Sequence, residues 1–160
     1  MPTLQTRVPT AWQETRLLSD AILTKIISIP SLRSNVRLVE QFILELNDEM
    51  QLEESVLDRI MISITEVVNN GIIHGNGADA DKYVHLRCQC YADRIDFSVR
   101  AEGAGFFPED IPDPLDETNL LKEGGRGVLI IRAMMDEVEF RRLETGMEVR
   151  LSIRLSNGND

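Results

Sequence analysis

Glu66 and Asn70 stand four residues apart in a stretch whose apolar residues recur at helical spacing, so a carboxylate and an amide project from one helix face. Ser63 is expected on the same face. A carboxylate so placed can take the proton of a hydroxyl nucleophile, and an amide oxygen beside it suits a hard cation such as magnesium. Two glycine clusters come later. Gly103-Ala104-Gly105 follows directly on a β pattern, and Gly124-Gly125-Arg126-Gly127 directly precedes an apolar helical segment. Glycine lets backbone approach a ligand closely, and the unpaired amides of a helix N-terminus suit phosphate. Taken singly, each feature is more often a solvated helix face or an ordinary turn. Their order along one chain shifts the balance toward a ligand site.

The elements that must position these residues can be read from periodicity. The helix carrying Glu66 and Asn70 is expected from about Glu53 to His74, with Leu57, Met61, Ile64, Val68 and Ile72 as its apolar stripe and Gly75-Asn76-Gly77 as its stop. Before it, Ala21 to Ile29 reads as a strand. Pro30-Ser31 then starts a helix whose stripe is Leu32, Val36, Val39, Ile43 and Leu46, ending near Asn47-Asp48. After the central helix, Val84, Leu86, Cys88 and Cys90 share one face of a strand, and Ile95, Phe97 and Val99 share one face of the next, with a turn at Ala92-Asp93. The glycine- and proline-rich stretch from Glu102 to Gly127 reads as a long functional loop, with a lid at about 103–126. Val128 to Met135 is helical, Val138 and Phe140 begin a strand that turns at Thr145-Gly146, and a last strand follows. In that strand Val149, Leu151, Ile153 and Leu155 alternate with Arg150, Ser152 and Arg154, as where one sheet face is buried and the other wet. This order makes an α+β two-layer sandwich, a mainly antiparallel sheet with helices on one face. Residues 21–157 form one domain. Residues 1–20, with Pro2, Pro9 and Trp12 and no apolar period, read as an extension that packs only in part.

Composition sets the outer bounds. With 160 residues, 42% hydrophobic and 28% charged, the chain has the length for one core. Its 17 basic and 27 acidic residues give a net charge of -10, which disfavours nucleic acid as a direct partner and suits docking onto a basic protein. Cys88 and Cys90 share one strand face and read as small core residues; a metal site needs more ligands than they and the two histidines supply. No apolar run approaches the roughly 20 residues that span a membrane, and the N-terminus has no signal-peptide core, so a cytoplasmic location is expected.

At this point the motifs become specific. The helix Ile64-Thr65-Glu66-Val67-Val68-Asn69-Asn70-Gly71-Ile72-Ile73-His74-Gly75 resembles the N-box of the GHKL ATPase superfamily, in its anti-sigma-factor serine kinase branch. Gly103-Ala104-Gly105-Phe106 resembles the next box. Asp113-Pro114 and Gly125-Arg126-Gly127, leading into Ile130 to Val138, resemble the lid and final box. The resemblance spans about Ile22 to Leu155 and implies the Bergerat fold. It implies a serine kinase with ATP and magnesium as cofactors, acting on an anti-anti-sigma antagonist, sequestering a sigma factor, and pairing as a homodimer. By the same resemblance Glu66 is the catalytic base, Asn70 the magnesium ligand, and Gly103, Gly105, Gly125, Arg126 and Gly127 nucleotide contacts. For Arg126 a structural salt bridge at the lid is an equal alternative, and His74 reads as a helix-end residue. One position departs from the family. The aspartate that accepts a hydrogen bond from the adenine amino group is here Ala101, while strand alternation turns Glu102 to the other face. Losing a hydrogen bond to a charged group weakens binding by roughly ten- to a hundredfold. The alternative reading is therefore a nucleotide-independent partner-binding module of the same fold.

Overall fold

The computed structural model describes residues 8–15, 20–103 and 125–156. A short helix α1 (Thr10–Thr15) precedes β1 (Leu23–Pro30), α2 (Val36–Met50), α3 (Glu54–Asn70), the hairpin β2 (Tyr83–Cys90) and β3 (Arg94–Ala101), then α4 (Gly125–Met134), β4 (Glu137–Leu143) and β5 (Gly146–Arg154). The five strands form one sheet in the order β1-β2-β3-β5-β4, and every neighbouring pair is antiparallel. Helices α2, α3 and α4 cover one face, which is the expected two-layer α+β sandwich.

The core follows from alternation in the strands. Leu86, Cys88, Phe97, Val99, Val149 and Leu151 point into the helix layer and are buried. Cys88 and Cys90 are free thiols, fully buried and 3.7 Å apart at sulfur, as small core residues should be. Against this face α2 presents Val39, Phe42, Ile43 and Leu46. Leu32, expected at the head of that stripe, is 43% exposed. The reason is local: a 3₁₀ turn at Arg33–Asn35 intervenes before α2 begins, so Leu32 is out of helical phase. The helix ends at Gln51, whose left-handed backbone (φ 52°) lets its N–H donate to the Asn47 carbonyl.

On α3 the expected stripe is turned by about one residue. Val56, Ile60, Ile64, Val67 and Val68 are buried, while Leu57 and Met61 pack at the margin. Two adjacent columns of this helix are apolar, so spacing alone does not say which one faces the sheet. The turn also places Ser63 inside rather than on the polar face, with its hydroxyl unpartnered. After Asn70 the helix widens into a π turn, Gly71–Gly75, closed by the Asn76 N–H donating to the Gly71 carbonyl at 2.9 Å.

α4 runs antiparallel to α3. The Arg59 guanidinium donates to the Met134 carbonyl at 2.7 Å, capping the C-terminus of α4, while the first turn of α4 lies at the far end of α3. Gly125, Arg126 and Gly127, expected before the helix, belong to that first turn. The outer sheet face is also drier than alternation suggested. Trp12, from the segment expected to pack only in part, is 2% exposed and lies against His85, Arg87 and Arg100. Arg87, Gln89, Ser98 and Glu148 are buried on that face, whereas Arg150 and Arg154 are exposed as expected.

Candidate functional site

Gly127 decides the geometry. A Cβ built there would overlap the Glu66 carboxylate oxygen and stand 3.0 Å from Glu66 Cδ and 3.2 Å from Asn70 Nδ2. The first turn of α4 therefore rests directly on the two polar residues of α3, at a distance where any side chain at 127 would displace the Glu66 carboxylate. A helix N-terminus carries unpaired amides and the positive end of the helix dipole, so the place where it meets Glu66 and Asn70 is suited to an anion. Between the two helices is a cleft of about 230 Å³. Glu66, Asn69, Asn70, His74 and Arg126 give it polar walls, and Ile73 and Ile130 close it on the apolar side.

The π turn sets the other boundary. Gly75 lies under Ala101, where a Cβ would come 2.9 Å from the alanine methyl, and Gly71 packs against Val84. Gly103 is closer still: a Cβ there would overlap the Gly75 carbonyl oxygen and stand 3.1 Å from Asn76 Cα. The glycine after β3 and the glycines after α3 thus interlock through backbone. Widening a helix by a π turn is common at functional sites, and here it swings Ile73 and His74 toward α4.

Of the residues singled out in the sequence, Glu66, Asn70, Arg126 and Gly127 come together around this cleft. Gly125 opens the same helix, and Gly103 stands behind Gly75 on the side of β3. Gly105, Phe106, Asp113, Pro114 and Gly124 lie outside the described residues. Ser63 is not part of the polar face. Sequence reasoning missed the cleft walls Asn69 and Ile73 and gave His74 no part; the triple Gly71, Gly75, Gly77 was the available sign that the helix would not end regularly. Ala101 is buried with its methyl against the glycines, and Glu102 faces away, accepting from the Tyr83 N–H at 3.0 Å and lying 3.2 Å from His85 Nε2. No carboxylate from either residue reaches the helix side of the sheet. Among the described residues no group of three or more His, Cys, Asp or Glu side chains could hold a metal ion. The oxygen donors at hand are the Asn70 amide and the Glu66 carboxylate, which suit a magnesium whose other ligands are water or phosphate. A larger opening of about 570 Å³ lies on the outer sheet face, between Arg87, Arg150 and Glu139, and is remote from this chemistry.

Residues 29–153 match the histidine kinase-like ATPase domain family. The chain belongs to that family. It is 32% identical over 124 residues to the anti-sigma F factors of Bacillus thuringiensis (strain Al Hakam) and Bacillus anthracis (strain CDC 684 / NRRL 3495), a match covering 76% of this chain and 82% of each relative. These relatives place the chain in the anti-sigma-factor branch. Its fold is also that of the crystal structure of the RsbU and RsbW domains of Rv1364c from Mycobacterium tuberculosis, with a TM-score of 0.63 and 18% identity over 83% of this chain. The match takes in 32% of that larger chain. The ligand class of this ATPase family is a nucleotide. Among the described residues no helix is long and apolar enough to cross a membrane.

Proposed function

We propose that this protein is an anti-sigma regulatory factor that sequesters a sigma factor and, as an ATP-dependent serine kinase, phosphorylates an anti-anti-sigma antagonist. The observation that carries this reading is the seat of α4 on α3, where Gly127 brings a helix N-terminus onto Glu66 and Asn70. Phosphoryl transfer asks a protein chiefly for positioning and charge neutralisation, which amides, one carboxylate and one cation ligand supply. In this reading Glu66 accepts the proton of the antagonist's serine hydroxyl as its oxygen bonds to the γ-phosphorus and ADP leaves. Gly125, Arg126 and Gly127 hold phosphate at the start of α4, and Gly103 and Gly105 let backbone approach the nucleotide. Asn70 would hold magnesium, which on binding supplies charge neutralisation across the phosphates. A sigma-factor partner places the protein in the cytoplasm, and the net charge of -10 favours docking on a basic surface through faster encounter.

A second reading has its own observation. Ala101 offers the adenine no acceptor and Glu102 is engaged on the opposite face, which favours a nucleotide-independent partner-binding module. Calorimetry with magnesium-ATP, together with transfer of labelled phosphate to the antagonist, separates the two. On the kinase reading the wild type binds, Asn70→Ala binds at least tenfold more weakly, and Glu66→Gln binds normally but transfers about 10²- to 10⁴-fold more slowly. Binding by Ala101→Asp alone, with none by the wild type, would establish the binding-module reading.

A further inference from the structure

We propose that Asn76 is a positioning residue for the nucleotide: its buried amide fixes the backbone at Gly103, just past β3, in register with the end of α3. This inference rests on the nucleotide-binding reading above. Asn76 is 3% exposed, and both its amide nitrogen and its amide oxygen are hydrogen-bonded. Nδ2 donates to Ser31 Oγ at 2.8 Å and to the Tyr83 carbonyl at 3.0 Å, and Oδ1 accepts the Gly103 N–H at 2.7 Å. One side chain thereby joins three segments far apart in sequence: the exit of β1, the entry of β2 and the exit of β3.

The three bonds are not equivalent. Those to Ser31 and Tyr83 join strands that are already paired, since Pro30 opposes Tyr83 in the β1-β2 ladder and Ser31 has its own bonds to the Lys82 carbonyl. The bond to Gly103 has no ladder pair beside it among the described residues; the neighbouring Glu102 is tied to β2 through its side chain, which accepts from the Tyr83 N–H, and that leaves the Gly103 backbone itself to Asn76. The ladders of β3 end at Ala101, opposite Val84 and Met147, so Gly103 lies beyond them. The Asn76 oxygen holds its backbone against the Gly75 carbonyl, where not even a methyl fits. Gly75 in turn ends the π turn that begins directly after Asn70. The distance between the Gly103 backbone and Asn70 is thus set through Asn76, and an error of about 1 Å in such a placement can cost a hundredfold in function.

The test pairs affinity with stability. Magnesium-ATP binding by calorimetry and melting temperature are measured for the wild type, Asn76→Ala, Asn76→Asp and Ser31→Ala. Asn76→Ala should bind about tenfold or more weakly. Asn76→Asp keeps an acceptor for the Gly103 N–H but loses both donors, so it should melt lower yet bind within about threefold of wild type. Ser31→Ala removes one Asn76 partner and should melt lower with affinity unchanged. Affinity that falls in step with melting temperature across the variants overturns the positioning role, as does wild-type binding by Asn76→Ala. Should Asn76→Ala fail to fold, weakened binding by Asn76→Asp or by Ser31→Ala still overturns the proposal. A wild type that does not bind removes the nucleotide reading and this inference together, which distinguishes that failure from the others.

Discussion

A methyl group at position 127 displaces the Glu66 carboxylate. Alanine would stabilise an ordinary helix interior by up to about 1 kcal/mol relative to glycine, yet here its Cβ falls on the Glu66 carboxylate. The clash offsets that gain, and the cheapest way to relieve it is to move the carboxylate out of place. Gly127→Ala should therefore lower phosphoryl transfer by about a hundredfold while the melting temperature changes little. Steady-state transfer rates beside a thermal melt check this, and a rate within threefold of wild type would contradict the proposed use of the site. At this scale the sequence was legible where residues fall into an ordered set of motifs. Glu66, Asn70 and Gly127 could be picked out because their order along the chain, with the glycine clusters, resembles the boxes of one ATPase family; residue type and spacing alone left a solvated helix face or an ordinary turn the better reading. Asn76 could not, since an asparagine between two glycines also reads as a plain helix stop. Its three bonds exist only once Ser31, Tyr83 and Gly103 are brought together.

Elements were legible to the extent that periodicity carries them. The hairpin of β2 and β3, the closing strand and the three main helices all follow from alternation or helical spacing. Phase was harder. With two apolar columns on α3, the choice between Leu57 and Val56 depends on the sheet beneath, and the π turn breaks helical spacing after Asn70, which hid Ile73 and His74. The N-terminal helix α1 was hidden for a different reason: a single turn anchored by one large side chain has no period to detect. Trp12 is the sole tryptophan, buried edge-on to His85 and within 4.9 Å of the Arg87 guanidinium. Burying an indole stabilises by several kcal/mol, and ordering a terminal arm offsets much of that, leaving about 1 to 3 kcal/mol. Trp12→Ala should lose that amount in urea denaturation followed by circular dichroism. An unchanged midpoint would mean that the arm contributes nothing to the fold.

The molecule as a whole divides its labour between the two faces of one sheet. The helix face buries apolar side chains and carries the proposed nucleotide site at its edge; the outer face buries charge. There Glu148, 1% exposed, accepts from Arg100, its cross-strand partner, at 2.6 Å and from Arg150 at 2.6 Å. Burial pushes its carboxyl upward, but the hydrogen bonds from Arg150 and Arg100 outweigh burial and hold it below the ordinary value of 4.5. A carboxyl whose folded-state value lies below its unfolded one binds protons more readily when unfolded, so its contribution is complete above about 4.5 and is lost as the pH falls through the lower folded-state value. Glu148→Gln keeps the shape and removes the charge, and at neutral pH it should cost about 1.5 to 3 kcal/mol. Protonation of the wild type imposes the same loss. The stability gap between the two proteins should therefore be constant from neutral pH to about 4.5 and close as the pH falls further, which unfolding free energies measured at a series of pH values would show. A gap that persists undiminished in acid would mean that ionisation of Glu148 is not what separates the two proteins, and that the charge pairing beneath the arm does not stabilise the sheet.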